Sequence, residues 1–103
     1  MLVVELGFPE LTTEQIEALC QTAENAARTF VLSKVTSKMV ERLDIGVEAE
    51  GAKPVTVTVE IDLVLSAQAK GVDAEALVKE AVSAGQCAAE KFLRKLKWLI
   101  FKN

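Results

Sequence analysis

Residues 55–66 read VTVTVEIDLVLS and alternate between apolar and polar positions. Val55, Val57, Val59, Ile61, Leu63 and Leu65 fall on one side. Thr56, Thr58, Glu60, Asp62 and Ser66 fall on the other, with Val64 the exception. Successive strand side chains point to opposite faces, so this spacing predicts a long strand with one covered and one wet face. Residues 42–50 alternate likewise, Leu43, Ile45, Val47 and Ala49 inward against Arg42, Asp44, Gly46, Glu48 and Glu50 outward. Between the runs lies Gly51-Ala52-Lys53-Pro54; Pro54 lacks an amide donor and is tolerated at a turn or strand start. Two alternating runs around a four-residue turn predict an antiparallel hairpin.

The period then changes. Ile16, Leu19, Cys20, Ala23, Ala27, Phe30 and Val31 recur at spacings of three and four, predicting an amphipathic helix that runs to about Lys34. Its start is spelled out in full. Thr12 as N-cap and Gln15 three residues on form a capping box, and Leu11 with Ile16 forms a hydrophobic staple. Glu14 and Glu17 suit the positive end of the helix dipole. Residues 35–40 (VTSKMV) fit either a helix extension or a connection. A second helix is expected after Lys70-Gly71, capped by Asp73 and stapled by Val72 with Leu77. Leu77, Ala81, Ala84, Gly85, Ala88, Phe92 and Leu96 make its broad apolar face. The small residues mid-face, like Ala23, Ala26 and Ala27 of the first helix, let the two helices touch. Residues 1–6 are a short apolar segment suited to an edge strand, and Gly7-Phe8-Pro9 breaks it.

These elements predict an α+β fold in two layers: two helices packed on the same face of a central antiparallel hairpin, with a short N-terminal edge strand. One domain spanning residues 1–103 is expected, since the length is that of a typical single core. Half the residues are hydrophobic and 26% are charged, the balance of a soluble globular protein. No apolar run approaches the ~18 residues that span a bilayer. The first six residues lack the length and basic start of a secretory signal. The expected setting is cytoplasmic, without membrane contact.

Charge adds a direction. Residues 91–103 carry Lys91, Arg94, Lys95, Lys97 and Lys102 and no acid, a net of +5; residues 1–90 carry seven bases and fifteen acids, a net of −8. The same tail holds Phe92, Leu93, Leu96, Trp98, Leu99, Ile100 and Phe101. Trp98 to Phe101, read as helix, is apolar nearly all round, so one small domain cannot bury every side of it. Residues 97–103 are therefore a candidate partner-docking tail, with Lys91, Arg94, Lys95, Lys97, Trp98 and Phe101 as the interaction residues. The alternative is a helix end whose lysines answer its own dipole and whose apolar residues enter the core. The hairpin's wet face bears Asp44, Glu48, Glu50, Glu60 and Asp62 against Arg42 alone, with no aromatic ring. An RNA-binding sheet shows the opposite character.

Chemistry is sparse. There is no His and no Tyr, which removes imidazole acid–base catalysis and His-activated nucleophiles. The five glycines are isolated, so no phosphate-cradling loop occurs. Cys20 and Cys87 sit in helical patterns beside apolar neighbours and are expected in the core. No cofactor, metal or small-molecule substrate is indicated. An enzyme using paired carboxylates such as Glu60 and Asp62, which share a sheet face with the chemistry for a magnesium ion, is the weakest reading, since the pattern supplies no pocket.

GFPELTTEQI, DIGVEAEGAKPVTVTVEIDLVL and VDAEALVKEAV together resemble a family of small archaeal proteins of uncharacterised role, whose genes neighbour that of the prefoldin beta subunit. The resemblance covers residues 6–96 and implies two helices on one side of a hairpin. A looser likeness, in element order only, is to the small dimerising subunit of the KEOPS complex of tRNA modification. It implies a non-catalytic paralogue that pairs with that subunit. The expected function is thus a non-enzymatic interaction or accessory subunit, paired with itself or a protein partner, serving a KEOPS-like or other translation-linked assembly. The rival is an RNA-binding accessory protein using the basic, aromatic C-terminal helix.

Overall fold

The computed structural model describes residues 2–4, 11–50 and 55–101. In chain order these form strand β1 (Leu2–Val4), helix α1 (Thr13–Lys34), a 3-10 turn (Ser37–Met39), strands β2 (Val40–Glu50) and β3 (Val55–Leu65), and helix α2 (Ala74–Phe101). The expected break at Gly7-Phe8-Pro9 and the turn Gly51-Ala52-Lys53-Pro54 lie outside the described residues.

The hairpin forms in the register its alternation requires. Leu43 faces Leu63, Ile45 faces Ile61, Val47 faces Val59 and Ala49 faces Val57, so every pair on the inner face is apolar. β1 joins the opposite edge of β3, with Leu2 against Val57 and Val4 against Val55, giving the antiparallel order β1-β3-β2. Of the N-terminal segment, Leu2–Val4 is the described part, and it is strand as expected. β2 begins two residues before the expected Arg42, and an irregularity between Val40 and Arg42 absorbs the misfit in period.

The ambiguous stretch 35–40 is a connection. Val35 is extended and buried, its amide bonds back to Val31, and the 3-10 turn then delivers the chain into β2. Thr12 caps α1 with the full reciprocal box: its hydroxyl accepts from the Gln15 amide at 3.1 Å, and its own amide donates to Gln15 Oε1 at 2.9 Å. Asp73 caps α2 by accepting from the Ala76 amide at 3.1 Å. Gly71 before it holds φ +80°, a left-handed conformation that suits glycine.

Both helices cover the apolar face, α1 over β2 and α2 over β3, and run antiparallel to each other. Their contact follows two rows of spacing four: Leu19, Ala23, Ala27 and Val31 on α1, and Leu77, Ala81, Gly85, Ala89 and Leu93 on α2. The α2 row differs from the broad face expected from sequence. Ala84, Ala88, Phe92 and Leu96 are flanks, half-buried, while Ala89 and Leu93 are fully enclosed. Ridges of spacing four select one narrow row from a wider apolar stripe. At the waist the helices nearly touch: a Cβ on Gly85 would sit 3.1 Å from the Ala23 carbonyl oxygen and 3.5 Å from Ala27 Cβ.

Candidate functional site

The outer sheet face has the expected charge. Asp44 and Asp62 lie directly opposite one another, Gly46 faces Glu60, Glu48 faces Thr58 and Glu50 faces Thr56. Two carboxylates opposed across strands repel. Arg42 resolves this by hydrogen-bonding Asp62 and approaching Asp44 to 3.5 Å. All three side chains are more than half exposed, so the cluster adjusts local charge and contributes little stability. Asp62 is therefore already engaged by a cation. Among the described residues no three His, Cys, Asp or Glu side chains gather as metal ligands would. Val64 is 37% exposed on this face, the apolar exception that the alternation marked.

Lys91, Arg94 and Lys95 share one exposed side of α2, as helical spacing requires. Arg94 is tied to Glu90 at 2.7 Å, which leaves Lys91 and Lys95 without an ion pair among the described residues. Lys97, Trp98 and Phe101 belong to α2 by backbone; their side chains lie outside the described residues. The helix just before the candidate tail packs on its own core. Leu93 is fully buried, and Phe92 and Leu96 pack on the same cluster as Leu19, Val57 and Val59. Phe92 and Leu96 thus serve the packing face expected of them, and the candidate docking tail, residues 97–103, starts only after Leu96.

The two cysteines separate. Cys20 is half-buried on the flank of α1, and burial pushes its thiol above its ordinary value. Cys87 is exposed, contrary to the expected core position, because it lies on the side of α2 opposite the Ala81–Gly85–Ala89 row. Cys20 lines a shallow cleft of 440 Å³ between α1 and β2 with Ile16, Glu17, Gln21, Glu24 and Val47. A second cleft of 490 Å³ lies between the helices, where Lys34 sits 5.5 Å over the Phe30 ring. Neither gathers the convergent polar groups of a ligand pocket.

A three-stranded sheet also leaves strand edges open. Among the described residues, β2 is outermost along its whole length, and β1 pairs β3 over residues 55–57. Among the described residues, 58–65 of β3 therefore also present an open edge. The signal was present in the length difference between the hairpin runs and the N-terminal segment.

Comparison with known proteins gives a consistent picture. A family model described as protein of unknown function (DUF3194) matches residues 8–92. An uncharacterised protein of Thermococcus kodakarensis is 30% identical over 94 residues, covering 91% of this chain and 86% of that protein. The solution structure of a hypothetical protein from Methanothermobacter thermautotrophicus superposes with TM-score 0.71 at 26% identity, covering 86% of this chain and 96% of that one. A crystal structure from Thermococcus onnurineus gives TM-score 0.72 at 24% identity over 92% and 91%, a likeness of fold alone. The relatives are archaeal and state no role, so neither the prefoldin neighbourhood nor the KEOPS likeness gains support from them.

Proposed function

The chain belongs to the DUF3194 family of proteins of unknown function, and on that premise we propose that it is a non-enzymatic interaction subunit docking on a protein through the C-terminal end of α2. One observation carries this reading: among the described residues, α2 outruns the helix it packs on. Gly85 sits against Ala23 and Ala27, and the helices are antiparallel. At ~1.5 Å per residue, α2 draws level with the first residue of α1 near Lys97. Trp98 to Phe101 thus lie beyond Thr13. Four consecutive apolar positions, each turned by ~100°, leave that turn with no polar side. A partner that covers it gains apolar burial of about 1.5–3 kcal/mol for each large side chain.

The test is affinity capture from cells that encode the protein, with the intact chain beside W98E/F101E. One defined protein should be retained by the first and lost by the second. A chain that captures nothing the variant does not also capture would overturn the reading.

The narrower form, service to a KEOPS-like or other translation-linked assembly, is supported by element order alone, and order does not fix function. A second reading has its own observation. Lys91 and Lys95, with no ion pair among the described residues, fit an RNA backbone. That reading expects tRNA binding that weakens steeply with salt, removed by K91E/K95E. No binding at low salt eliminates it.

A further inference from the structure

We propose that β2 is a pairing edge for a second copy of this chain, joined antiparallel about a two-fold axis at Ile45. This rests on the interaction-subunit reading and deepens it, on a surface separate from the end of α2. β2 is outermost in the order β1-β3-β2, and no strand lies beyond its eleven residues among those described. Such an edge offers a row of amides and carbonyls to another strand, about ten hydrogen bonds if the full length is used.

Charge selects the register. A one-residue slip would turn every apolar side chain away from the helix layer, so only slips of two are permitted. The register that overlaps all of Val40–Glu50 sets Arg42 against Glu48, Asp44 against Gly46, Leu43 against Val47 and Ile45 against its own copy. It opposes no like charges and makes the Arg42–Glu48 pair twice. A slip of two in one direction sets Asp44 against its own copy; in the other it sets Asp44 against Glu48. Both repel. The open edge of β3 lacks this complementarity. Each long two-fold register there opposes Glu60 to Asp62, or sets one of them against its own copy.

The apolar side points the same way. Ile45 is half-buried and belongs to neither apolar cluster of the described residues. Above the same edge, the 440 Å³ cleft holds Ile16, Cys20 and Val47 partly open. A second copy at β2 brings its own Ile45 and α1 flank against these groups.

Light scattering on the intact chain should report a dimer. R42E and E48R should each raise its dissociation constant about tenfold or more, since every introduced charge meets its like. An equal mixture of the two variants should re-form a dimer, because each introduced acid then faces a base. Arg42 also holds Asp62 within its own chain, so circular dichroism must show that R42E folds. If it does not, hydrogen exchange on the intact chain decides: alternate amides of β2 point outward, and their protection should rise with protein concentration. A chain monomeric up to about millimolar concentration, a folded E48R that stays dimeric, or a mixture of folded variants that is not rescued would each overturn the proposal. The variant W98E/F101E separates this from the docking reading. A dimer that survives it is paired through the edge; one lost there but kept in E48R is paired through the end of α2.

Discussion

Gly85 sets how closely the helices meet, and its missing methyl can be tested directly. On an open helix surface Gly→Ala stabilises by about 1 kcal/mol. Here the new Cβ would lie 3.1 Å from the Ala23 carbonyl oxygen and 3.4 Å from Val59 Cγ1. The oxygen belongs to helix backbone and cannot yield without moving α1, so overpacking of about 1–3 kcal/mol outweighs the gain. Urea unfolding should show G85A about 1 kcal/mol less stable than the parent, and G85V much worse. A stabilised G85A would mean that the helices do not touch. The sequence marked the small residues but could not say which of Ala84, Gly85 and Ala88 sits at the crossing, since all three are compatible with an apolar stripe. Cys20 and Cys87 show the same limit: hydrophobic neighbours suggested burial for both, and the side of its own helix that each occupies sets them apart. Iodoacetamide should label exposed Cys87 first and half-buried Cys20 several-fold more slowly, with the difference abolished in denaturant. Because folding raises the Cys20 thiol above its ordinary 9.0, its preference for the neutral form favours the fold below that value. The contribution disappears as pH rises through the folded-state value.

The elements were legible wherever one period dominated. Strand alternation in 42–50 and 55–66 fixed the hairpin, because a strand with one covered face has a single workable register. The capping box at Thr12 and the cap at Asp73 fixed two helix starts to the residue. Val35 to Met39 was ambiguous because Val and Thr favour extended backbone while the helical spacing continues through them; burial of Val35 beneath the helix end decides it. At this scale Arg42 is the informative residue, because it neutralises the opposed Asp44 and Asp62. Its removal should cost only ~0.2–1 kcal/mol, given the exposure of all three side chains. The loss from R42A should shrink with added salt, and D62N in the R42A background should recover most of it. Guanidinium unfolding would mask this by screening, so urea at two ionic strengths is the appropriate measurement. A loss indifferent to both salt and D62N would assign Arg42 a packing role instead.

Across the whole molecule, shape and charge act together. The chain is a bar of 53 × 20 × 20 Å with a radius of gyration of 15.3 Å, longer than the ~13 Å expected of a compact domain of this size. Length arises because a 28-residue helix lies along strands of 11 residues each. The long side of the bar carries the β2 edge and the acidic face; one tip carries the apolar turn of α2 and the basic residues. Association through side or tip therefore produces different particles. Two copies joined along β2 lie ~20 Å apart and have a radius of gyration of about 18 Å; two joined at the tips lie ~50 Å apart and reach about 29 Å. Small-angle scattering distinguishes these without any substitution. The side-by-side value is expected, since the Arg42–Glu48 register opposes unlike charges, whereas the tips bring two basic ends together. Adding salt should then weaken the dimer modestly, as exposed ion pairs are screened while the backbone ladder remains. A value near 29 Å that persists or strengthens in salt would place self-association at the tip.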